Sequence, residues 1–259
     1  MIWGLPNMLA KNYVVVATDY PGLGTPGTHP YLIGVSEGRA VLDSVRAARA
    51  LPRTGASNRF AVWGHSQGGQ AALYTGELAK SYAPELKLVG TAAAAPATYL
   101  MELFRADQAS SDGKELTAMA LYSWSRLYGK PASTIVTPQA MQTYQKVARD
   151  CIEDIPEFLA IDKAEKPLDR VKFLKADATK VEPWRSIMLK NSPGQRPQGA
   201  PVFIAQGTAD TTIRPRITKQ YAQALCRKGT RVSYNVLPGV THVFAARFRG
   251  APAPSICRR

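Results

Sequence analysis

Gly64-His65-Ser66-Gln67-Gly68 sets one serine among glycines. Glycine tolerates positive φ and close backbone approach, so this spacing suits a turn too tight for larger side chains, with the hydroxyl raised on it. The G-x-S-x-G pattern arises often by composition alone, and its context must discriminate. An apolar run, RFAVWG (59–64), precedes it and a small-residue run, QGGQAALYTGELAKSY (67–82), follows. That strand, turn and helix setting is what a nucleophile elbow requires. A serine hydroxyl attacks poorly near neutral pH, so it needs a base within hydrogen-bond reach and a group that orients the base.

The chain offers three histidines, His29, His65 and His242. His65 adjoins the serine, where side chains on a tight turn diverge, and His29 lies in the Pro/Gly-rich stretch TPGTHPY upstream. His242, in PGVTHVF after the last apolar run, is the expected base. Asp210, in GTADTTIRP, is the expected orienting acid, because it directly follows the apolar run PVFIAQG and is the sole acid of residues 200–259. Its competing role is to cap the helix that opens at Pro215. The order serine, aspartate, histidine suits α/β-hydrolase topology. Hydrolysis also needs donors for the charge that develops on the carbonyl oxygen; the backbone N–H of Gln67 supplies one by position. These residues predict hydrolysis of a carboxylic ester through an acyl-enzyme, with no metal among the site residues. Two other readings use the same residues: an acyltransferase or peptidase, and a hydrolase-fold protein without turnover that binds apolar ligands.

Such a constellation needs a scaffold. NYVVVATD (12–19), RFAVWG, LKLVGTAAA (86–94) and PVFIAQG (201–207) are almost continuously apolar, as expected of parallel strands buried on both faces. RVSYNVLPG (231–239) alternates and reads as a fifth strand nearer an edge. Helical stretches lie between them over 34–51, with Val41, Val45 and Ala48 on one stripe, over 67–82, and over 215–228 behind Pro215. Strand and helix alternate, which predicts a mostly parallel α/β sheet flanked by helices. Residues 96–199 break the rhythm: they are helical in pattern, charged and rich in aromatics, and too long for a loop. The expected division is a core of residues 1–95 and 200–259 with an inserted helical cap over 96–199, whose aromatics would make an apolar pocket roof.

The formal charge of +14 raises the question of nucleic acid. Residues 200–259 hold ten Lys/Arg against one acid, but the cations are spread without aromatic interleaving or a groove-binding motif. A solvated basic surface is expected, and no nucleic-acid partner. Cys151, Cys226 and Cys257 lack metal-site spacing. A Cys226–Cys257 disulfide is expected, closing the loop that carries His242 and leaving Cys151 over. MIWGLPNMLA has neither the basic start nor the apolar stretch of a signal peptide.

TDYPGLG (18–24), VSEGRAVLDSVRA (35–47), VWGHSQGGQAAL (62–73), SYAPELKLVG (81–90), QGTADTTI (206–213) and PGVTHVF (238–244) together resemble the secretory lipase family of α/β-hydrolases. The likeness is dense over the sheet regions and loose over 100–195. It implies carboxylester and triacylglycerol hydrolysis, secretion, contact with a lipid interface, no cofactor and a helical lid. It also implies that Asp19 joins Gln67 in the oxyanion hole through its side chain, which must then be protonated to donate. Against the family pattern, N-terminal strands are expected to be absent, as is one strand between NYVVVAT and RFAVWG, and the segment after THVFAA is short.

Overall fold

The computed structural model describes residues 2, 4–108, 110–149, 167–247 and 256–257. Helices α1 (Leu5–Leu9), α2 (Gly34–Ala50), α3 (Gln67–Tyr82), α4 (Leu100–Asp107), α5 (Ser111–Leu127), α6 (Met141–Val147), α7 (Trp184–Lys190) and α8 (Pro215–Arg227) surround four strands. These are β1 (Arg59–His65), β2 (Lys87–Ala94), β3 (Val202–Gly207) and β4 (Val232–Leu237), all parallel and adjacent in chain order.

Successive residues of a strand face opposite sides, and the register sorts them. Val62, Thr91, Val202 and Val232 form one row, and Trp63, Ala92, Phe203 and Ser233 the next. On the first face, Val202, Ile204, Val232 and Tyr234 are buried with Leu73 of α3 and Tyr221 and Leu225 of α8. Burying a side chain of this size contributes about 1.5 to 3 kcal/mol relative to leaving it exposed. Helix α2 packs on α3 through Leu42, Tyr74 and Leu78. Its buried residues include Gly34, Gly38 and Leu42; of the expected stripe, Ala48 is buried and Val45 packs partly buried against this cluster, while Val41 is half-buried. The glycines bring the helices together: a Cβ at Gly38 would stand 3.0 Å from the Tyr74 backbone carbon, so the two helices meet at near backbone distance.

The second face departs from expectation. Residues 12–19 form no strand, and Tyr13, Val14 and Val16 are exposed. A strand exists only where its backbone groups find a ladder; β1 is the terminal strand and has no ladder partner on its outer side among the described residues. The segment instead borders a groove of about 1210 Å³ shared with Trp63, Phe203 and Ser233. The row expected to be buried on both faces therefore opens into that groove. At the other margin, Ile256 N–H donates to the Val232 carbonyl at 3.1 Å, and Cys257 is joined to Cys226. This disulfide spans 31 positions and restricts the unfolded chain by about 3 to 4 kcal/mol. Cys151 lies outside the described residues.

Helices α4 to α7 pack at the C-terminal ends of the strands. One cluster joins Leu100, Phe104, Leu121, Trp124, Tyr144, Trp184 and Met188 with Ala94, Ala205 and Leu237. Trp124 and Trp184 are fully buried there and Tyr144 is 1% exposed. These three aromatics form the interior of the helical segment, while Tyr99, Tyr122 and Tyr128 are partly buried against it; Phe158 lies outside the described residues.

Candidate active site

Ser66 stands between β1 and α3 with φ 56° and ψ −117°. A non-glycine residue in that region costs about 1 to 3 kcal/mol and persists where its surroundings over-determine it. Ser66 N–H donates to the Ala94 carbonyl at 3.0 Å, while its own carbonyl accepts from Gln70 and Ala97 N–H groups at 3.1 Å each. Gly64 makes the turn feasible, because a Cβ there would lie 2.0 Å from the Gly68 carbonyl oxygen. Gly69 lets the helix approach Pro96, whose Cβ would stand 2.8 Å from an added methyl. Gly68 was expected to share this duty, but space around it is open.

His242 reaches the elbow from the loop after β4. A Cβ at Gly207 would overlap the Val240 carbonyl at 2.1 Å, and Ala209 N–H donates to that carbonyl at 3.1 Å. The loop thus lies flat on the end of β3, and His242 opens a short 3₁₀ turn, His242–Arg247. Its Nε2 is 2.9 Å from Ser66 Oγ and its Nδ1 is 2.9 Å from Asp210 Oδ2. An ionised carboxylate only accepts, so Nδ1 carries the proton and Nε2 turns its lone pair to the serine hydroxyl. His242 is 7% exposed and Asp210 4%.

Asp210 caps its own turn and not α8, whose start at Pro215 has no side-chain cap. Oδ1 accepts from the Thr212 and Ile213 N–H groups at 3.0 and 2.7 Å. Oδ2 also accepts from Gln206 Nε2 at 2.9 Å, and Gln206 Oε1 in turn accepts from Thr218 at 2.7 Å. The sequence reading missed Gln206 and Thr218. The available signal was one amide inside the otherwise apolar run PVFIAQG.

The remaining two histidines are placed as supports. His65 Nε2 donates to the His242 carbonyl at 2.9 Å, and the two rings lie 4.6 Å apart. Burial, with His242 adjacent, pushes the His65 pKa down to about 4, so the ring is neutral. His29 Nε2 lies 2.9 Å from Gln67 Nε2, and its Nδ1 is 3.3 Å from the Pro21 carbonyl. Gln67 Nε2 also donates to Glu37 Oε1 at 2.8 Å. Glu37 has no exposed surface, and burial pushes its pKa up to about 8. Gln67 is the first residue of α3, so its backbone N–H is among those with no partner inside the helix, at the positive end of the helix dipole. Asp19 does not join this assembly. It is exposed and makes no hydrogen bond to Ser66, Gln67 or His242 among the described residues.

A parallel sheet with a serine on a strained strand-to-helix turn, served by histidine and aspartate from later loops, defines an α/β-hydrolase. The chain matches the secretory lipase family over residues 3–255 and belongs to it. A secreted triacylglycerol lipase of Malassezia globosa is 23% identical over 277 residues, covering 98% of this chain and 58% of that protein. Lipase A of Moesziomyces aphidis is 35% identical over 82 residues, 32% of this chain and 17% of its own length. The chain thus spans less than two thirds of these relatives. Among solved structures, Candida antarctica lipase A aligns at TM-score 0.68 and 18% identity, covering 82% of this chain and 51% of that one. The rice cell wall degrading esterase LipA of Xanthomonas oryzae aligns at TM-score 0.73 and 20% identity, covering 89% and 65%. At such identities the likeness shows the shared fold.

Proposed function

We propose that the protein hydrolyses carboxylic esters with Ser66 as nucleophile, His242 as general base and acid, and Asp210 as the orienting carboxylate. The observation that carries this reading is the unbroken series Ser66 Oγ, His242 ring and Asp210 carboxylate, with both contacts at 2.9 Å, set on a strained elbow. Ser66 Oγ attacks the ester carbonyl carbon as its proton passes to His242 Nε2. The oxyanion of the tetrahedral intermediate accepts from Gln67 N–H, and loss of one such donor typically costs about 10²- to 10³-fold in rate. Collapse breaks the carbon–oxygen bond to the alcohol, which leaves with the proton from His242. Water then gives a proton to His242 as its oxygen bonds the acyl carbon, and collapse breaks the bond to Ser66 Oγ, which takes that proton back from His242 as the carboxylic acid leaves.

The substrate class we assign is lipid esters, on the strength of family membership and of the triacylglycerol lipase relative. Residues 96–199 act as a cap over the site in this reading, supported by the packing of α4 to α7 on the strand ends that carry it. An extracellular location fits both the secretory relatives and the Cys226–Cys257 disulfide. The test is turnover of p-nitrophenyl butyrate by wild type and Ser66→Ala. Loss of turnover in the variant is expected, and retention of most of the rate refutes the assignment.

A further inference from the structure

Glu37 lies outside the series just described, yet its carboxyl is fully buried directly behind the elbow. It is on the first turn of α2, on the helix side that carries Gly34 and Gly38. Those glycines bring α2 against α3: a Cβ at Gly34 would fall 2.0 Å from the Tyr74 ring, and one at Gly38 within 3.1 Å of Thr75 N. The close approach puts Glu37 Oε1 within 2.8 Å of Gln67 Nε2 and 3.0 Å of Leu32 N–H. Leu32 itself holds a positive φ of 53°. The other oxygen, Oε2, is buried without a hydrogen-bond partner among the described residues. Buried polar atoms are paired as a rule, and an exception calls for an explanation.

The contacts form one chain. The Pro21 carbonyl accepts from His29 Nδ1–H, His29 Nε2 accepts from the Gln67 amide, and that amide gives its second proton to Glu37. Both amide protons of Gln67 are thereby committed, and its side chain is fixed from two sides. Its backbone N–H is the oxyanion donor of the proposed reaction. Two elements distant in sequence, the 20–33 loop and α2, thus converge on the one residue whose backbone must aim at the developing charge.

We infer that Glu37 is a positioning residue that, by anchoring the Gln67 side chain together with His29, holds the Gln67 N–H on the oxyanion. This rests on the reading of Ser66 as nucleophile. Glu37 touches no reacting atom, so its effect falls on the chemical step and not on ground-state binding. Displacements of about 1 Å at such a site cost up to about 10²-fold.

The experiment measures p-nitrophenyl butyrate kinetics and the rate of fluorophosphonate labelling for wild type, Glu37→Ala, Glu37→Gln, Gln67→Leu and the Glu37→Ala/Gln67→Leu pair, with thermal melts as a check on folding. Alanine leaves the Gln67 amide and the Leu32 N–H without an acceptor. Glutamine restores an acceptor oxygen at the same place. The expected result is a fall in kcat and labelling rate of about 10- to 100-fold in Glu37→Ala, with KM within about 3-fold of wild type. Glu37→Gln returns to within about 3-fold of wild type, and the double variant is no slower than the slower single variant. Wild-type rates in Glu37→Ala, a Glu37→Gln no better than alanine, or multiplying losses in the double variant overturn the inference. If Glu37→Ala yields no folded protein, Gln67→Leu decides, since it keeps the backbone N–H; wild-type rates there overturn the inference equally. An unlabelled wild type overturns the hydrolase reading and this inference with it, whereas a labelled wild type with unaffected variants overturns this inference alone.

Discussion

Asp210 has its acceptor sites taken before any substrate arrives: two N–H groups hold Oδ1, and Gln206 and His242 hold Oδ2. Such a carboxylate cannot swing away, so it dictates which His242 nitrogen bears the proton. Asp210→Asn offers an amide where the imidazole needs an acceptor, and the unfavourable tautomer follows. We expect kcat on p-nitrophenyl butyrate to drop by about 10⁴-fold with the melting temperature reduced by only a few degrees; a loss under tenfold contradicts the assigned role. That Ser66, Asp210 and His242 meet was legible in the sequence, because each sits at the junction of an apolar run and a turn, where strand ends present side chains. The part of Glu37 was not, since its partner Gln67 comes from another element and only folding brings the two together, and Gln206 left no more signal than one amide in an apolar run. Asp19 shows the converse: a role implied by resemblance alone depends on an enclosure that local sequence does not encode.

At the scale of elements, the elbow depends on how closely β1 can turn into α3, and its glycines are not equivalent. Gly64→Ala drives a methyl into the Gly68 carbonyl, a backbone atom that cannot step aside. We expect it to cost about 3 kcal/mol or more, visible as loss of soluble protein or a collapsed thermal transition. Gly68→Ala meets nothing within 4 Å and sits in a helix, where alanine is preferred by about 1 kcal/mol. Its melt should match or exceed wild type, and a large destabilisation would show that the open space around Gly68 is filled in solution. Four of the five expected strands and all three expected helices were legible within a residue or two, because runs bounded by turn residues reflect burial directly. The fifth, over 12–19, has strand composition without a ladder, and composition carries no information about whether a partner is present. The closeness of α2 to α3 was hidden for a different reason: glycine scores as neither apolar nor polar, yet Gly34 and Gly38 sit at the contact.

Among the described residues of the whole molecule, three buried carboxyls titrate late. Burial raises Glu37 to about 8, and Glu77 and Asp107 each to about 7, from ordinary values of 4.5, 4.5 and 3.8. In that window the folded chain keeps protons that the unfolded chain has released, so stability falls as pH rises. Neutral His65 works in the opposite sense: its contribution is lost as pH falls from 6.5 through about 4, so above 6.5 it is silent. Melting temperature should therefore decline between pH 6.5 and 8.5, and Glu37→Gln, which cannot ionise, should remove the part of the decline between pH 7 and 8; a flat wild-type profile contradicts this. The two margins of the sheet carry a separate consequence. Ile256, next to the disulfide-bonded Cys257, pairs with the start of β4 on its outer side, while β1 has no ladder partner on its outer side among the described residues. A sheet shielded on one side can recruit a neighbour once: two copies meeting flank to flank use up the site each has to offer, and growth ends at a pair instead of running on into a fibre.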